Sequence, residues 1–178
     1  EEAQKILDEA GWALGNDGVR EKPYGRAKLR LEFEIVVPQI KFLVDSVSII
    51  KDDWAKVGIK LTPIIMSPQE ITDRIIRTRN YQMIVFGNIL KNNPDVFAFW
   101  HSLERFYPGL NLSLYENKTV DKLIESIRKD FDATSRKNNL TKLQTTILND
   151  KPAIFLFSPR YLYITSKNLK GFTPSVIV

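Results

Sequence analysis

The chain has one histidine, His101, and no cysteine. Any histidine-based nucleophilic device would therefore have to use His101, and no G-x-S-x-G elbow is present to receive it. His101 reads instead as the end of a short helix beside Trp100, where the helix dipole favours it. A zinc site lacks both thiolates and a second imidazole. No P-loop and no G-x-G-x-x-G cradles a phosphate. The carboxylate pairs Asp52–Asp53, Asp130–Asp132 and Asp8–Glu9 lie on or beside amphipathic helices and read as solvated faces. A glycosidase-type pair would need two acids facing across a cleft, which spacing alone does not show. The aromatic group Phe97, Phe99, Trp100, Phe106 and Tyr107 could stack bases but reads more simply as core packing. These residues predict no catalysis, no metal and no cofactor.

Binding is better supported, by position. Ser67-Pro68-Gln69-Glu70 is a capping box with proline in the first turn. Arg74, Arg77 and Arg79 end the helix that it starts, which accounts for them without a nucleic-acid partner. Tyr81 to Phe86 is almost unbroken apolar sequence, as in a strand covered on both faces. It runs into Gly87, Asn88, Ile89 and Leu90, then into an amide-rich loop. Ligands of open parallel sheets sit outside the carboxyl ends of the strands. Here those ends are Val37-Pro38, Met66-Ser67 and Gly87–Leu90. Backbone N–H groups of the helix starting at Ser67 point to the same edge and would favour an anionic ligand group.

The elements that place these ends follow from periodicity. Residues 2–10 form a helix with Ala3, Ile6, Leu7 and Ala10 on one side and Gly11 past its end. Residues 28–37 alternate, with Leu29, Leu31, Phe33 and Ile35 on one face, up to Pro38. Ile40 to Val57 keeps helical spacing and closes at Gly58. Ile59 to Met66 is a strand whose Pro63 demands an edge position or a bulge. The order β-α-β-α-β predicts a parallel sheet flanked by helices. Beyond it come a short helix over 95–102, a loop over 103–117, helices around Val120–Ile127 and Leu140–Ile147, and strand-like runs at Ala153–Phe157 and Tyr161–Thr165.

With 178 residues, 43% hydrophobic and 26% charged, the chain suits one domain without a membrane-spanning run. Its net charge is +5. The first ten residues are acidic and helical with no initiator Met, so the start reads as trimmed and the missing leader says nothing about export.

An ordered series of segments resembles the family 5 extracellular solute-binding proteins, receptors for oligopeptides, dipeptides and nickel in ABC importers. Ala3 to Trp12 is similar to A-x-x-L-L-x-E-A-G-W. Asp17-Gly18-Val19-Arg20, the Leu29–Val36 strand, Trp54 to Lys60, Arg79 to Met83, Pro94-Asp95, His101-Ser102, Asn111, Val120 to Ile124, Arg136, Leu143-Gln144 and Asp150 to Ile154 follow in the family's order. The resemblance implies an α/β lobe of the type II periplasmic-binding-protein class. Residues 1–178 would be a single domain, the C-terminal lobe of a two-lobed receptor whose N-terminal lobe is missing here. It implies a substrate-binding component of an ABC importer, lying at the extracellular face or in the periplasm and anchored as a lipoprotein. Its partners would be a peptide or similar polar small molecule, a membrane permease and the other lobe. Gly87, Asn88, Ile89, Leu90 and Asn111 would face the ligand, with Asn88 and Asn111 as hydrogen-bonding groups and Leu90 as an apolar wall. Peptide receptors of the family carry a Trp and an Asp at the positions of Gly87 and Leu90. The loss of that Asp removes a partner for a peptide ammonium group, unless Asp95 replaces it. A peptide-pheromone signalling receptor and, less well supported, an α/β hydrolase are the alternative readings. A lone lobe is expected to bind weakly and to leave apolar patches exposed.

Overall fold

The computed structural model describes residues 1–88 and 95–159, together with positions 164, 166, 168, 170 and 171. They fall into two compact units, residues 1–88 with 106–108, and residues 89–105 with 109–178.

The first unit opens with α1 (Glu2–Glu9), which Ala10 caps and Gly11 leaves at φ +80°. No residue of α1 is fully buried: of its apolar stripe Leu7 is half-buried, while Ala3 and Ile6 stay exposed. Three short strands follow, β1 (Ala13–Leu14), β2 (Arg20–Tyr24) and β3 (Ala27–Arg30), paired antiparallel in that order. Then comes β4 (Glu32–Pro38), the middle strand of a separate parallel sheet. The alternating run 28–37 is therefore two strands in two sheets, not one. Leu31 is the junction: its N–H donates to Arg20 O at 2.9 Å, and its carbonyl accepts from Lys60 N at 2.8 Å. Alternation persists through the break because both pieces are extended, and period two does not report which partner a strand takes.

The parallel sheet is β5-β4-β6. Strand β5 (Lys60–Met66) pairs with β4 over its full length, from Glu32↔Lys60 to Pro38↔Met66. Pro63 stands opposite Ile35 with no extra residue on either side, on what is an edge strand among the described residues, where a proline is tolerated. Strand β6 (Met83–Ile84) flanks β4 on the other side. The expected long strand Tyr81–Phe86 is thus only two residues, both half-buried, and Phe86 is exposed. Its apolar sequence led to the expectation of burial on both faces, but β6 is an edge strand among the described residues.

Helix α2 (Lys41–Ala55) makes the first crossover and buries Val47 against Ile35, Val37, Leu61 and Val85, with Phe33, Leu43, Val44, Ile50 and Trp54 around them. The second crossover starts as expected. Ser67 caps α3 (Pro68–Glu70), its Oγ accepting from Glu70 N, while the Glu70 carboxylate accepts from Ser67 N at 3.0 Å. The helix then widens into a π-helix over Ile71–Ile76. Ile71 and Ile76 are buried and Ile75 is half-buried. Their five-residue separation matches the i→i+5 winding of a π-turn, so the stripe holds while the helix type differs. Both isoleucines lie outside the cluster built on α2. This agrees with right-handed crossovers, which put the two connections of a β5-β4-β6 sheet on opposite faces.

The second unit holds α4 (Phe97–Trp100), a 3-10 turn (Ser102–Glu104), α5 (Lys118–Lys129) and α6 (Ala133–Asp150). Val120, Ile124 and Ile127 pack on Leu143 and Ile147, with Phe97, Trp100 and Tyr115 against them. Asn117 caps α5 and Asp132 caps α6, so Asp132 has a structural task beyond a solvated face. The stretch 153–157 is not a strand: Ile154, Phe155, Leu156 and Phe157 are all exposed, and the Phe155 ring lies 5.7 Å from that of Trp100. An apolar β-type run records a need for a sheet partner without supplying one. The run expected at Tyr161–Thr165 lies outside the described residues except for Ile164. Among the described residues no helix is long and apolar enough to cross a membrane.

Candidate functional site

The carboxyl edge of the parallel sheet is built by register. Pro38 pairs with Met66, and Gln39 N donates to Met66 O at 2.8 Å. On the other side Val36 pairs with Ile84, and Val85 N donates to Val36 O at 2.9 Å. Two places further along that register Phe86 lies alongside Pro38, so Gly87 and Asn88 stand just past the sheet end. Both are exposed. A Cβ on Gly87 would meet nothing within 4 Å, so its backbone faces open space. Ile89 and Leu90 lie outside the described residues.

At the Ser67 helix start, where an anion seat is expected, the capping box already engages Ser67 N and Glu70 N. Glu70 Oε2 accepts from Ser67 N at 3.0 Å and from Ser67 Oγ at 2.8 Å. These bonds, the side-chain hydroxyl first, hold the Glu70 carboxyl below its ordinary range.

Asn111 belongs to the second unit and is fully buried. Its Nδ2 donates to His101 O at 3.1 Å and to Tyr115 O at 2.9 Å. Its Oδ1 accepts from Tyr115 N and from Ser113 Oγ, each at 3.1 Å. All four hydrogen-bonding positions of the amide are thus engaged within the loop, and a ligand bond here would have to displace one of them. Asp95, the possible substitute acid, accepts from Phe97 N at 3.1 Å and pairs with Arg128 Nε at 3.3 Å.

His101 ends α4, as its position predicts. Its Nδ1 accepts from Leu103 N at 3.2 Å, which puts the proton of a neutral ring on Nε2, 3.4 Å from Glu125 Oε1. The ring stacks on Phe97 at 4.2 Å. The neighbouring Ser102 hydroxyl donates to Asp121 rather than to this imidazole, so the two do not form a nucleophile–base pair.

One organising residue is not legible in the sequence. Arg20 is buried, and its Nε donates to Val57 O at 2.8 Å. Its Nη1 donates to Asp8 Oδ1 and Trp12 O, each at 2.5 Å. Gly58 is the space it needs. At φ +82°, a Cβ there would stand 2.7 Å from Arg20 Cγ and 2.9 Å from Leu14 Cδ1. The segments around Trp12, Arg20 and Gly58 thus form one hub that holds α1 and the small sheet to the end of α2.

A parallel sheet with helical crossovers and an open carboxyl edge is the frame of a type II periplasmic binding protein. Solved structures of that class agree. The oligopeptide-binding protein AppA of Bacillus subtilis, in complex with a nonapeptide, is 22% identical with a TM-score of 0.73, over 85% of this chain and 30% of that one. The oligopeptide-binding protein of Thermus thermophilus, complexed with a pentapeptide, is 20% identical with a TM-score of 0.73, over 84% and 28%. NikZ of Campylobacter jejuni, in complex with Ni(L-His), is 21% identical with a TM-score of 0.68, over 85% and 30%. Residues 1–106 match the family described as bacterial extracellular solute-binding proteins, family 5, middle region, and the chain belongs to that family. It is a family of solute-binding proteins rather than of enzymes. A probable D,D-dipeptide-binding periplasmic protein of Escherichia coli is 29% identical over 117 residues, 61% of this chain. Protein XP55 of Streptomyces lividans is 24% identical over 176 residues, 96% of this chain. The chain spans 22% and 31% of the lengths of these two curated relatives.

Proposed function

We propose that this chain is the C-terminal ligand-binding lobe of a receptor that captures a peptide or similar polar solute and delivers it to the permease of an ABC importer. The receptor works outside the cytoplasmic membrane, in the periplasm or anchored as a lipoprotein. A second lobe, supplied by the rest of the receptor, closes over the ligand, and closure is what the permease reads. The chain acts by binding and catalyses nothing.

The observation that carries this reading is the open edge at Gly87 and Asn88, where a parallel sheet binds its ligands. Family membership and the peptide-bound relatives support it. Asn88 is the hydrogen-bonding group at this edge. Asn111 fixes the loop 101–115 from within, its amide fully engaged there.

The test is calorimetry on the full-length receptor with tri- to pentapeptides. Asn88→Ala should weaken binding about tenfold, the loss of one hydrogen bond of about 1.4 kcal/mol. Unchanged affinity for every peptide bound by the wild type would remove this edge from the site.

A further inference from the structure

The second unit has a cleft of its own, of about 510 Å³, where the end of α5 meets the start of α6. Its lining combines two cations, two carboxylates and an apolar floor: Arg128, Arg136, Asp95, Asp130 and Ile127, with Phe131 at the rim. We propose that this cleft is a second binding site, taking a small zwitterion with an apolar side chain, of the class of a hydrophobic α-amino acid.

The charges are placed for such a ligand. Arg128 presents Nε to Asp95 Oδ2 at 3.3 Å and lays its guanidinium over the Phe97 ring, 4.5 Å from the centroid. Among the described residues, its terminal nitrogens have no hydrogen-bond partner. They offer the paired donors that a carboxylate takes. Two residues on, Asp130 Oδ1 accepts from Asp132 N at 3.0 Å, and no described residue bonds its second oxygen. That oxygen is an acceptor for an ammonium group. An isolated anion would meet the Asp130 carboxylate, and an isolated cation would meet the Arg128 guanidinium. A zwitterion is the charge pattern that satisfies both signs.

The apolar part follows. Ile127 is buried and forms the floor. Phe131 sits in the turn between two helix caps with 101% relative exposure, and its own unit covers none of it. A ligand side chain lying on Ile127 would give that ring a surface to cover. This site lies wholly within the second unit and does not rest on the strand-edge reading.

The test is a titration of the ¹⁵N-labelled chain with L-leucine, followed by amide shifts. L-leucine should move the amides of Ile127 to Phe131. N-acetyl-L-leucine and L-leucinamide, each lacking one charge, should bind at least about tenfold more weakly, the worth of one charge-assisted bond. Arg128→Gln and Asp130→Asn should each produce a similar loss, and Asp130→Asn keeps an oxygen for the cap. The proposal is overturned if L-leucine leaves these amides unmoved, if the blocked analogues bind equally well, or if neither variant weakens binding. Shifts confined to Phe86–Asn88 would also overturn it, while supporting the strand-edge site.

Discussion

Replacing Arg20 by methionine tests the hub on which the first unit is assembled. Methionine keeps the apolar stem and its packing but removes every donor. Trp12 O and Val57 O lose their bonds to a charged group at 2.5 and 2.8 Å. Each such bond is worth about 1.5–3 kcal/mol. The Asp8 carboxylate is 64% exposed and regains water, so its loss adds at most about 1 kcal/mol. Against this, the variant no longer desolvates a guanidinium, which returns a few kcal/mol. The net cost should be about 2–4 kcal/mol. The assay is hydrogen exchange at the buried Val36 and Val37 of the central strand, which exchange when the first unit opens. At about 1.4 kcal/mol per tenfold, their exchange should quicken roughly 30- to 700-fold. Arg20→Lys, with one compact donor head in place of a fork, should fall between the variant and wild type. A cost for Arg20→Met below about 0.5 kcal/mol, or a lysine variant as stable as wild type, would refute the reasoning.

Two glycines at strand or helix exits should respond in opposite ways. Gly58→Ala forces a side chain into φ +82° and against Arg20 and Leu14. It should cost at least about 1–2 kcal/mol and lower the melting temperature, whereas Gly87→Ala, with nothing within 4 Å, should leave it unchanged. Tyr115 donates to Asp150 Oδ2 at 2.5 Å, and burial first, then this bond, pushes its phenol up to about 12. The same bond, then that from Asn117, holds the Asp150 carboxyl below its usual range. A raised phenol stabilises the fold fully below the ordinary tyrosine range, and that contribution is lost as pH rises through about 12. A depressed carboxylate stabilises it above the ordinary aspartate range, and that contribution is lost as pH falls through the depressed value. The tie between this loop and α6 should therefore hold across the whole interval between. The absorbance difference at 295 nm between wild type and Tyr115→Phe should isolate a midpoint near 12 that Asp150→Asn lowers. A midpoint in the ordinary tyrosine range would contradict the geometry.

The elements with a local physical signal were legible residue by residue. Ser67-Pro68-Gln69-Glu70 marks a helix start because a cap is satisfied within four residues. Pro63 marks an edge strand because its missing N–H is a property of the residue itself. The stripes on α2, α5 and α6 are likewise local, and they put Val47, Val120, Ile124, Leu143 and Ile147 in the cores where the structure has them. What failed depended on a partner distant in sequence. The alternating run 28–37 passes between two sheets at Leu31, Tyr81–Phe86 pairs over only two residues, and 153–157 pairs with no strand among the described residues. The five-residue rhythm of Ile71 and Ile76 is visible in hindsight, but three- and five-residue spacings overlap within one short stripe.

The candidate site divides in the same way. The sequence by itself determined the crossover order, the strand exits and the series of segments that identifies the family, because periodicity and short-range capping are written along the chain. Only the tertiary structure decided that Asn111 spends its amide on its own loop and that Arg20 is the buried tie at Gly58. Hydrogen bonds between residues tens of positions apart are fixed by where the folded backbone brings carbonyls and side chains together, and no residue type announces in advance which partner it will find.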